Sequence, residues 1–193
     1  MDIYHVKLTF TEPLLGTVPL DRNVAETYVL SKGAAPEEES ETLPSSDELL
    51  EKMTTGFHEM NGAPAIYDYA IKGFFKDACS MLRRDSKSGS AKLTAHKKVI
   101  DGMVFVKPRL IPLIVNGETF VLERPLRAQT AQGERVALAR SVAAPAGSTL
   151  EFDVLILGGV SKALLEEWLT YGRLRGMGAW RNGGWGSFVY EIS

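Results

Sequence analysis

The stretch "GRLRGMGAWRNGGWGSFVYEI", residues 172 to 192, contains more glycine than a simple turn requires. A turn uses one or two glycines to reach positive φ angles. Here six glycines lie between Gly172 and Gly186, and a strand-like run from Ser187 to Ile192 follows at once. The preceding "SKALLEEWLTYG" predicts a helix that Ser161 caps and Gly172 ends. We therefore expect a specific glycine-rich loop between a helix and a final strand.

Length and composition indicate one folded domain over residues 1–193. The chain is 45% hydrophobic and 24% charged, which is typical of globular proteins. It has no apolar run of the roughly 18 residues that span a membrane, and its start lacks the signal-peptide pattern. We therefore expect a cytoplasmic protein without a membrane partner. The single Cys79 excludes an internal disulfide and a multi-cysteine zinc site, and we expect neither metal nor cofactor.

Charge is unevenly distributed along the chain. Residues 31–60 include "KGAAPEEESETLPSSDE", an acidic, Pro- and Ser-rich stretch that we interpret as a flexible insertion. A basic block follows between Lys72 and Lys98, and its segment "DSKSGSAKLTAHKK" predicts a mobile surface region. The net charge of −2 argues against a generic polyanion binder. A local basic surface remains possible, because screening confines charge effects to about 8–10 Å.

The pattern of apolar residues predicts the order of elements. "DIYHVKLTF" alternates as a half-buried strand does, and "IYDYAIKGFFKDACSMLRR" has helical spacing. Gly73 inside that helix costs about 1 kcal/mol relative to Ala, which suggests close approach by another backbone or a ligand. Two hairpins are predicted next, one around Asn116-Gly117 and one around "AAPAG". The glycine-rich loop and its flanking helix and strand complete the chain.

This order predicts the fold class. It begins with a strand and a long loop, continues with a helix and hairpins, and ends with a helix and a strand. Without the extra hairpin it becomes βαββαβ, the ferredoxin-like (RRM-like) arrangement of an antiparallel sheet with two helices on one face. We therefore expect an α+β protein.

The glycine-rich loop also resembles a family motif. Gly176-Met177-Gly178, five residues, and Gly184-Trp185-Gly186 fit the pattern G-h-G-x5-G-h-G, in which h is apolar. This is similar to the glycine-rich loop of the RAMP superfamily, the RNA-binding proteins of CRISPR effector complexes. Lys72-Gly73 resembles the Lys-Gly pair at the family's first helix, although Tyr67-Asp68-Tyr69 stands where Pro-Gly-Ser is usual.

Two further segments extend the resemblance. "AAPAGSTLEFDV" resembles the family's "V-P-x-G-T-x-F" segment, and "LTFTEPLLGTV" resembles its first strand with the following "h-I-G". The resemblance omits residues 22–60 and 85–135. It is nearest to the backbone subunits of type III complexes, which line up along a guide RNA and carry a β-hairpin thumb. The resemblance thus implies a thumb at 103–135 and, as partners, RNA (a guide or another single strand), further copies of the chain or other effector subunits.

The chemistry of these segments suits RNA. Glycines let backbone N–H groups approach phosphates and form an anion-binding nest, arginines bind phosphates in a bidentate way, and Trp180 can stack on a base. Lys and Arg residues of the first helix would extend a positive track, whereas Met177 and Trp185 are expected in the core. The candidate RNA-binding residues are Lys72, Gly73, Lys76, Arg83, Arg84, Arg175, Gly176, Gly178, Trp180, Arg181, Asn182, Gly184 and Gly186.

Catalytic signals are weaker. Some RAMP members are ribonucleases that use a histidine as general base, and type III backbone subunits resemble metal-dependent nucleases with an Asp after the first strand. His5 and Asp21 are the corresponding candidates here, and His5, His58 and His96 otherwise suggest surface histidines. The chain has no Ser/His/Asp arrangement, HExxH motif, P-loop or Rossmann fingerprint.

Three functions remain open at this point. The first is a RAMP-type subunit that binds RNA within a CRISPR-like antiviral effector. The second is a non-catalytic RAMP-fold protein, solitary or phage-borne, that forms homo-oligomers or acts as a decoy of an effector subunit; the nearly neutral charge favours it. The third is an endoribonuclease.

Overall fold

The computed structural model describes residues 1–20, 54–130 and 133–193. Asp21 and residues 31–53 of the predicted acidic insertion lie outside these ranges. The strands are β1 (Asp2–Phe10), β2 (Leu14–Leu15), β3 (Val18–Pro19), β4 (Thr54–Gly56), β5 (His58–Met60), β6 (Ala63–Tyr67), β7 (Val104–Lys107), β8 (Leu110–Ile114), β9 (Phe120–Thr130), β10 (Gly133–Ala144), β11 (Thr149–Ile156) and β12 (Phe188–Ile192). The helices are α1 (Asp68–Leu82), α2 (His96–Met103) and α3 (Lys162–Arg175), with short 3₁₀ turns at Gly89–Lys92 and Arg181–Gly183.

The larger sheet is antiparallel throughout. β1 lies between β12 and β11, with Val6 opposite Ile192 on one side and Phe152 on the other. The far edge of β11 is shared: one end pairs with β7 and the other with β8. β8 continues to β6, and β6 to β5. The described chain is therefore an α+β protein with three α-helices on an antiparallel sheet.

The core lies between this sheet and the helices. Val6, Leu8 and Phe10 of β1 point inward, as their alternation predicts. The Phe188 ring of β12 lies edge-on to those of Phe10 and Phe74, at centroid distances of 6.0 and 5.4 Å. Each such buried side chain contributes about 1.5–3 kcal/mol. The helices contribute Ile71, Phe74, Phe75, Ala78, Ile100, Leu165, Trp168 and Leu169.

The smaller sheet contains the long hairpin of the described chain. β9 pairs with β10 along its whole length, from Phe120 opposite Ala143 to Thr130 opposite Gly133. β10 also pairs with β2 and, in parallel, with β4, which in turn pairs with β3. β4 and β5, Thr54–Gly56 and His58–Met60, lie at the C-terminal end of the stretch that the sequence suggests as an insertion.

Both predicted hairpins are wrong as strand pairings. β8 and β10 do not pair with the strands that follow them, because the chain passes from one sheet to the other at Asn116-Gly117 and again at residues 145–148. Gly117 and Gly147 adopt the positive φ angles expected of turns. The two crossings contact each other, since the Asn116 side chain donates to the Ala146 carbonyl at 3.0 Å. The turns were correctly located, but their strands have partners elsewhere.

Two further predictions also need correction, one of a mobile segment and one of a helix end. The segment "DSKSGSAKLTAHKK" is structured: it contains the 3₁₀ turn and the start of α2, and the Glu167 carboxylate accepts hydrogen bonds from the backbone and hydroxyl of Ser90. α3 is capped by Ser161 as predicted, but it continues past Gly172 to Arg175. Gly172 therefore lies inside the helix. It leaves room for the Phe188 ring, since a Cβ added at position 172 would lie 2.1 Å from Phe188 Cζ.

Gly172→Ala and Gly73→Ala are expected to change stability in opposite directions. A methyl at position 172 would meet Phe188, whose buried ring has no room to move, and overpacking of this kind costs about 1–3 kcal/mol. A methyl at position 73 meets nothing within 4 Å and removes the conformational cost of glycine, which gains about 0.5–1 kcal/mol. Urea denaturation measures both free energies of unfolding. A stabilised Gly172→Ala variant would contradict this packing.

Candidate functional site

The glycine-rich loop, residues 176–186, lies directly against neighbouring backbone. A Cβ added to Gly186 would lie 2.0 Å from the carbonyl oxygen of Met177, and one added to Gly178 would lie 2.6 Å from that of Leu15. Both glycines also have positive φ angles, of 70° and 83°, which L-residues rarely adopt. Met177 is buried, as predicted, whereas Trp185 is only partly buried. Packing alone therefore requires glycine at positions 178 and 186.

Many amides of the glycine-rich loop donate to carbonyls within the protein. Met177 N–H donates to the carbonyl of Gly186 at 3.0 Å, and Ala179 N–H to that of Leu15 at 3.1 Å. The amides of Gly176, Gly183, Gly184 and Gly186 also have backbone acceptors. A backbone amide has one hydrogen to donate. These amides are therefore not free for the expected nest, and side chains remain the main candidates for contacting phosphate.

A groove of about 580 Å³ lies between α1 and the glycine-rich loop, with residues of β2–β6 along its sides. We call it the central groove. Gly73 of α1 lines it together with Gly178 and Arg181 of the loop. No backbone approaches Gly73, because a Cβ there would meet nothing within 4 Å. The backbone-approach explanation of Gly73 is therefore wrong, and the open space beside it belongs to the groove.

Arg181 belongs to an ion cluster centred on Asp77 of α1. Arg175 Nε lies 3.3 Å from Asp77 Oδ2, and Arg181 Nη2 lies 3.5 Å from Oδ1. Arg175 also donates to the side-chain oxygen of Asn182. Because two guanidinium groups share one carboxylate, the cluster keeps a net positive charge. Three candidate residues, Arg175, Arg181 and Asn182, are thus brought together, and Arg181 among them lines the groove.

Trp180 faces the long hairpin. The Arg124 guanidinium of β9 lies 5.5 Å from the centre of its ring, a cation–π contact. The same guanidinium is the neighbour of Gly183, where an added Cβ would lie 3.7 Å from Nη1. Trp180 is partly buried, and its φ of 52° places its backbone in the left-handed region. One face of this ring is therefore occupied by protein.

Lys72 and Lys76 point away from the groove, towards α2. Lys72 Nζ donates to the Asp101 carbonyl at 3.0 Å and lies 5.1 Å from the centre of the Phe105 ring. Lys76 Nζ pairs with the Asp101 carboxylate at 2.6 Å. The Lys-Gly pair is therefore divided, because Gly73 lines the central groove and Lys72 lies on a different side of α1.

Arg83 and Arg84 follow the last turn of α1. Arg83 Nη1 lies 2.9 Å from His96 Nδ1, where the guanidinium can only donate. His96 is buried at the start of α2, so the prediction of a surface histidine was wrong. Burial first, and then the positive charges of Arg83 and Lys97, lower the pKa of His96. Arg84 is exposed, and neither arginine lines the central groove.

His5 lies on the sheet face opposite the helices. Its Nδ1 is 3.0 Å from Asp153 Oδ1, and the neighbouring Lys7 is 3.2 Å from Glu151. This exposed pair is outside the central groove. Asp21 lies outside the described residues. Among residues 1–20, 54–130 and 133–193, no group of three or more His, Cys, Asp and Glu side chains is placed to hold a metal ion.

The sequence reasoning missed an aromatic cluster on the groove wall, formed by His58, Tyr67 and Tyr69. The two tyrosine rings are stacked, 5.3 Å apart and 13° from parallel. His58 lies edge-on to Tyr67, and its Nε2 is 3.1 Å from the Tyr69 hydroxyl oxygen. Burial lowers the pKa of His58. The available signal was the Tyr67-Asp68-Tyr69 segment, which departs from the family pattern.

Comparisons with known structures agree with the α+β architecture. A chain from a cryo-EM structure of the type III-B Cmr-beta bound to cognate target RNA is similar, with a TM-score of 0.54 and 13% identity. The match covers 99% of this chain and 59% of that one. A chain of a type IV-B CRISPR complex has a TM-score of 0.51 and 10% identity over 100% of this chain and 90% of the other.

At these identities the comparisons show similarity of fold. This chain spans 59% of the length of the type III-B subunit that it matches. No family model matches the chain, and no curated protein matches its sequence. Within the described ranges, no helix is long and apolar enough to cross a membrane.

The free energy of unfolding is expected to fall below about pH 6.5 partly because of His96. Its lowered pKa means that the unfolded chain takes up this proton more readily than the fold does. The stability that neutral His96 contributes is thus fully present above the pKa of this histidine in the unfolded chain. It is lost as the pH falls through that pKa towards the lowered pKa of the folded protein. Protonation would also replace the Nδ1 acceptor by a donor facing Arg83. Urea denaturation near pH 7.5 and near pH 5.5 measures the loss.

His96→Asn is the matched variant, since its side-chain oxygen can accept from Arg83 and does not titrate. The variant is expected to lose less stability than the wild type between the two pH values. Equal losses would show that His96 does not carry this pH dependence.

Proposed function

We propose that the chain is a RAMP-type RNA-binding subunit that holds single-stranded RNA in the central groove. The observation that carries this proposal is the convergence of Gly73, Gly178 and Arg181 on one groove. Gly73 belongs to the segment that resembles the family's Lys-Gly pair, and the other two belong to the glycine-rich loop. Two separate motifs thus contribute to one concave surface, which is where ligands bind preferentially.

The order of strands supports a ferredoxin-like unit. We take β1, β7, β11 and β12 as the first to fourth strands of the βαββαβ unit. The first strand, β1, then lies between the fourth, β12, and the third, β11, and the second, β7, lies on the far side of β11. All of these neighbours are antiparallel. The helices α1 and α3 contribute to one core with this sheet. This is the arrangement expected of βαββαβ.

The similarity to chains of the type III-B and type IV-B assemblies supports a role in a CRISPR-like antiviral effector. We infer that the partners are RNA, a guide or another single strand, together with other effector subunits or further copies of this chain. The hairpin of β9 and β10, residues 120–144, overlaps the thumb expected at 103–135 and would serve as the thumb, since Arg124 of β9 contacts Trp180 of the glycine-rich loop.

The Asp77 cluster would supply the main phosphate contact. Arginine binds phosphate through charge-assisted hydrogen bonds, and it retains its charge at all physiological pH values. The Asp77 carboxylate holds Arg175 and Arg181 in place, so little side-chain freedom is lost when a phosphate arrives. Lys72 and Lys76 of α1, and Arg83 and Arg84 just after it, lie outside the groove, where they would contact RNA that extends beyond it.

A second candidate is a RAMP-fold assembly or decoy protein that has lost RNA binding. It is favoured by one specific observation: three of the candidate RNA-binding basic side chains have acidic partners. Arg175 and Arg181 share Asp77, and Lys76 pairs with Asp101. Together with the net charge of −2, this pairing reduces the attraction for a polyanion.

Binding of a labelled single-stranded RNA, followed by fluorescence anisotropy at several salt concentrations, tests the proposal. The double variant Arg175→Ala/Arg181→Ala is expected to weaken binding. Its slope of log K against log salt should become shallower by about 0.7 for each phosphate that the variant no longer neutralises. Asp77→Asn should bind RNA at least as tightly as wild type, because the amide oxygen can still accept from the arginines while a negative charge is removed from the site.

Lys87→Ala/Lys92→Ala is the matched control, since it removes the same charge from exposed positions outside the groove. It should change the slope less than the arginine variant does. Equal slopes for the two double variants would contradict the groove as the RNA site. A stable homo-oligomer that binds no RNA would favour the second candidate.

A further inference from the structure

The aromatic cluster of His58, Tyr67 and Tyr69 is built like a contact surface rather than like part of the core. Tyr69 is 55% exposed, although large aromatic side chains gain most when they are buried. Its ring is nevertheless held in place, because it stacks on Tyr67 and its hydroxyl lies 3.1 Å from His58 Nε2. The cluster therefore presents a fixed, partly exposed aromatic ring at the wall of the central groove.

Arg109 and Asp68 also hold the cluster in place. The Arg109 guanidinium lies 5.9 Å from the centre of the Tyr67 ring, and Asp68 Oδ2 lies 3.6 Å from Arg109 Nη1. Burial lowers the pKa of His58, and burial followed by the nearby Tyr67 raises that of Tyr69. At neutral pH the His58–Tyr69 contact is therefore uncharged. A rigid, uncharged aromatic surface is suited to a planar group rather than to a phosphate.

The space beside the ring is kept free by Gly73. Residues 69 and 73 are four apart in α1, so they share one face of the helix. Any side chain at position 73 would extend into this face, where nothing lies within 4 Å of an added Cβ. Glycine inside a helix costs about 1 kcal/mol relative to alanine. At position 73 its lack of a side chain leaves an open surface next to Tyr69.

The opposite side of the same groove is cationic. Arg181 lines it and belongs with Arg175 to the Asp77 cluster, which keeps a net positive charge. A ligand that fits both sides needs a planar, uncharged part and an anionic part. A nucleotide has this combination. The groove volume of about 580 Å³ lies within the usual range for small-molecule sites.

We propose that Tyr69 is the stacking platform for one unpaired nucleobase of the bound RNA, with His58 and Tyr67 as positioning residues and Arg181 on the adjoining phosphate. This site deepens the proposed function and rests on it. Every RNA base has an aromatic face, so the stacking contact itself is tolerant of sequence. Removing the ring should therefore weaken binding without changing its dependence on salt.

The test compares an RNA of about ten nucleotides with the same RNA made abasic at successive single positions. In wild type, one abasic position is expected to weaken binding roughly 5- to 150-fold, which corresponds to the loss of one stacked base. Tyr69→Leu should weaken binding of the intact RNA by a similar factor and remove the difference between intact and abasic strands. Tyr69→Phe should restore stacking, because only the hydroxyl is missing.

The variants also separate stacking from phosphate binding. Tyr69→Leu should leave the salt slope unchanged, whereas the arginine double variant changes it. If Tyr69→Leu binds intact and abasic RNA as wild type does, while the arginine variant loses affinity, the stacking site is overturned and the proposed function stands. Thermal melting of Tyr69→Leu checks the fold, which an exposed ring should affect little.

A mononucleotide titration covers the case in which wild type binds no RNA strand. NMR chemical-shift changes with adenosine 5′-monophosphate, but not with ribose 5-phosphate, and their loss in Tyr69→Leu, would support a nucleobase site although the RNA function fails. No response to either probe and no RNA binding would overturn both proposals.

Discussion

The position of the central groove depends on direct contact between backbone segments. The glycine-rich loop bonds to the β2 region through Ala179 and Gly186, whose amides donate to the carbonyls of Leu15 and Pro13. Because β2 belongs to the smaller sheet and the loop leads into β12 of the larger one, these bonds connect the two sheets. A Cβ on Gly178 would lie 2.6 Å from the Leu15 carbonyl oxygen and would separate the two segments, whereas one on Gly186 would meet the Met177 carbonyl within the loop itself. The glycines are therefore needed before any ligand is considered.

This contact determines which side chains can meet. It brings Arg181 towards α1, where Asp77 holds it together with Arg175. On the same side of α1, Gly73 leaves the helix surface open and Tyr69 presents its ring. On the opposite face of the sheet His5 and Lys7 each have an acidic partner of their own, whereas Arg175 and Arg181 share a single carboxylate. Charge and shape together favour the groove over that face as the binding surface.

Local patterns predicted the elements in which the spacing of apolar residues alone identifies the face that packs into the core. β1, α1, α3 and β12 were predicted because one apolar face of each builds the core. The strand pairings around Asn116-Gly117 and residues 145–148 could not be predicted in this way. A turn signal indicates that the chain reverses, but here both turns carry it between sheets and are held by each other. His96 was missed because its surroundings come from distant parts of the chain: Glu167 binds the preceding segment at Ser90, and Arg83 contacts the His96 ring.

The candidate site was only partly predictable for the same reason. Spacing identified the glycine-rich loop and Gly73, yet it could not show that Lys72 turns towards Asp101 while Gly73 lines the groove. It also could not show that the loop amides have acceptors inside the protein. The aromatic cluster joins β5 to α1 across a turn, so only the folded chain brings His58 to Tyr69.

Photo-crosslinking of a single-stranded RNA containing 4-thiouridine, with mass spectrometry of the crosslinked peptides, tests the central claim most directly. We expect crosslinks in the peptides that contain Tyr69 and Arg181, on the two sides of the central groove. Crosslinks confined to the peptides of His5 and Lys7, on the opposite face of the sheet, would contradict the groove as the RNA-binding surface.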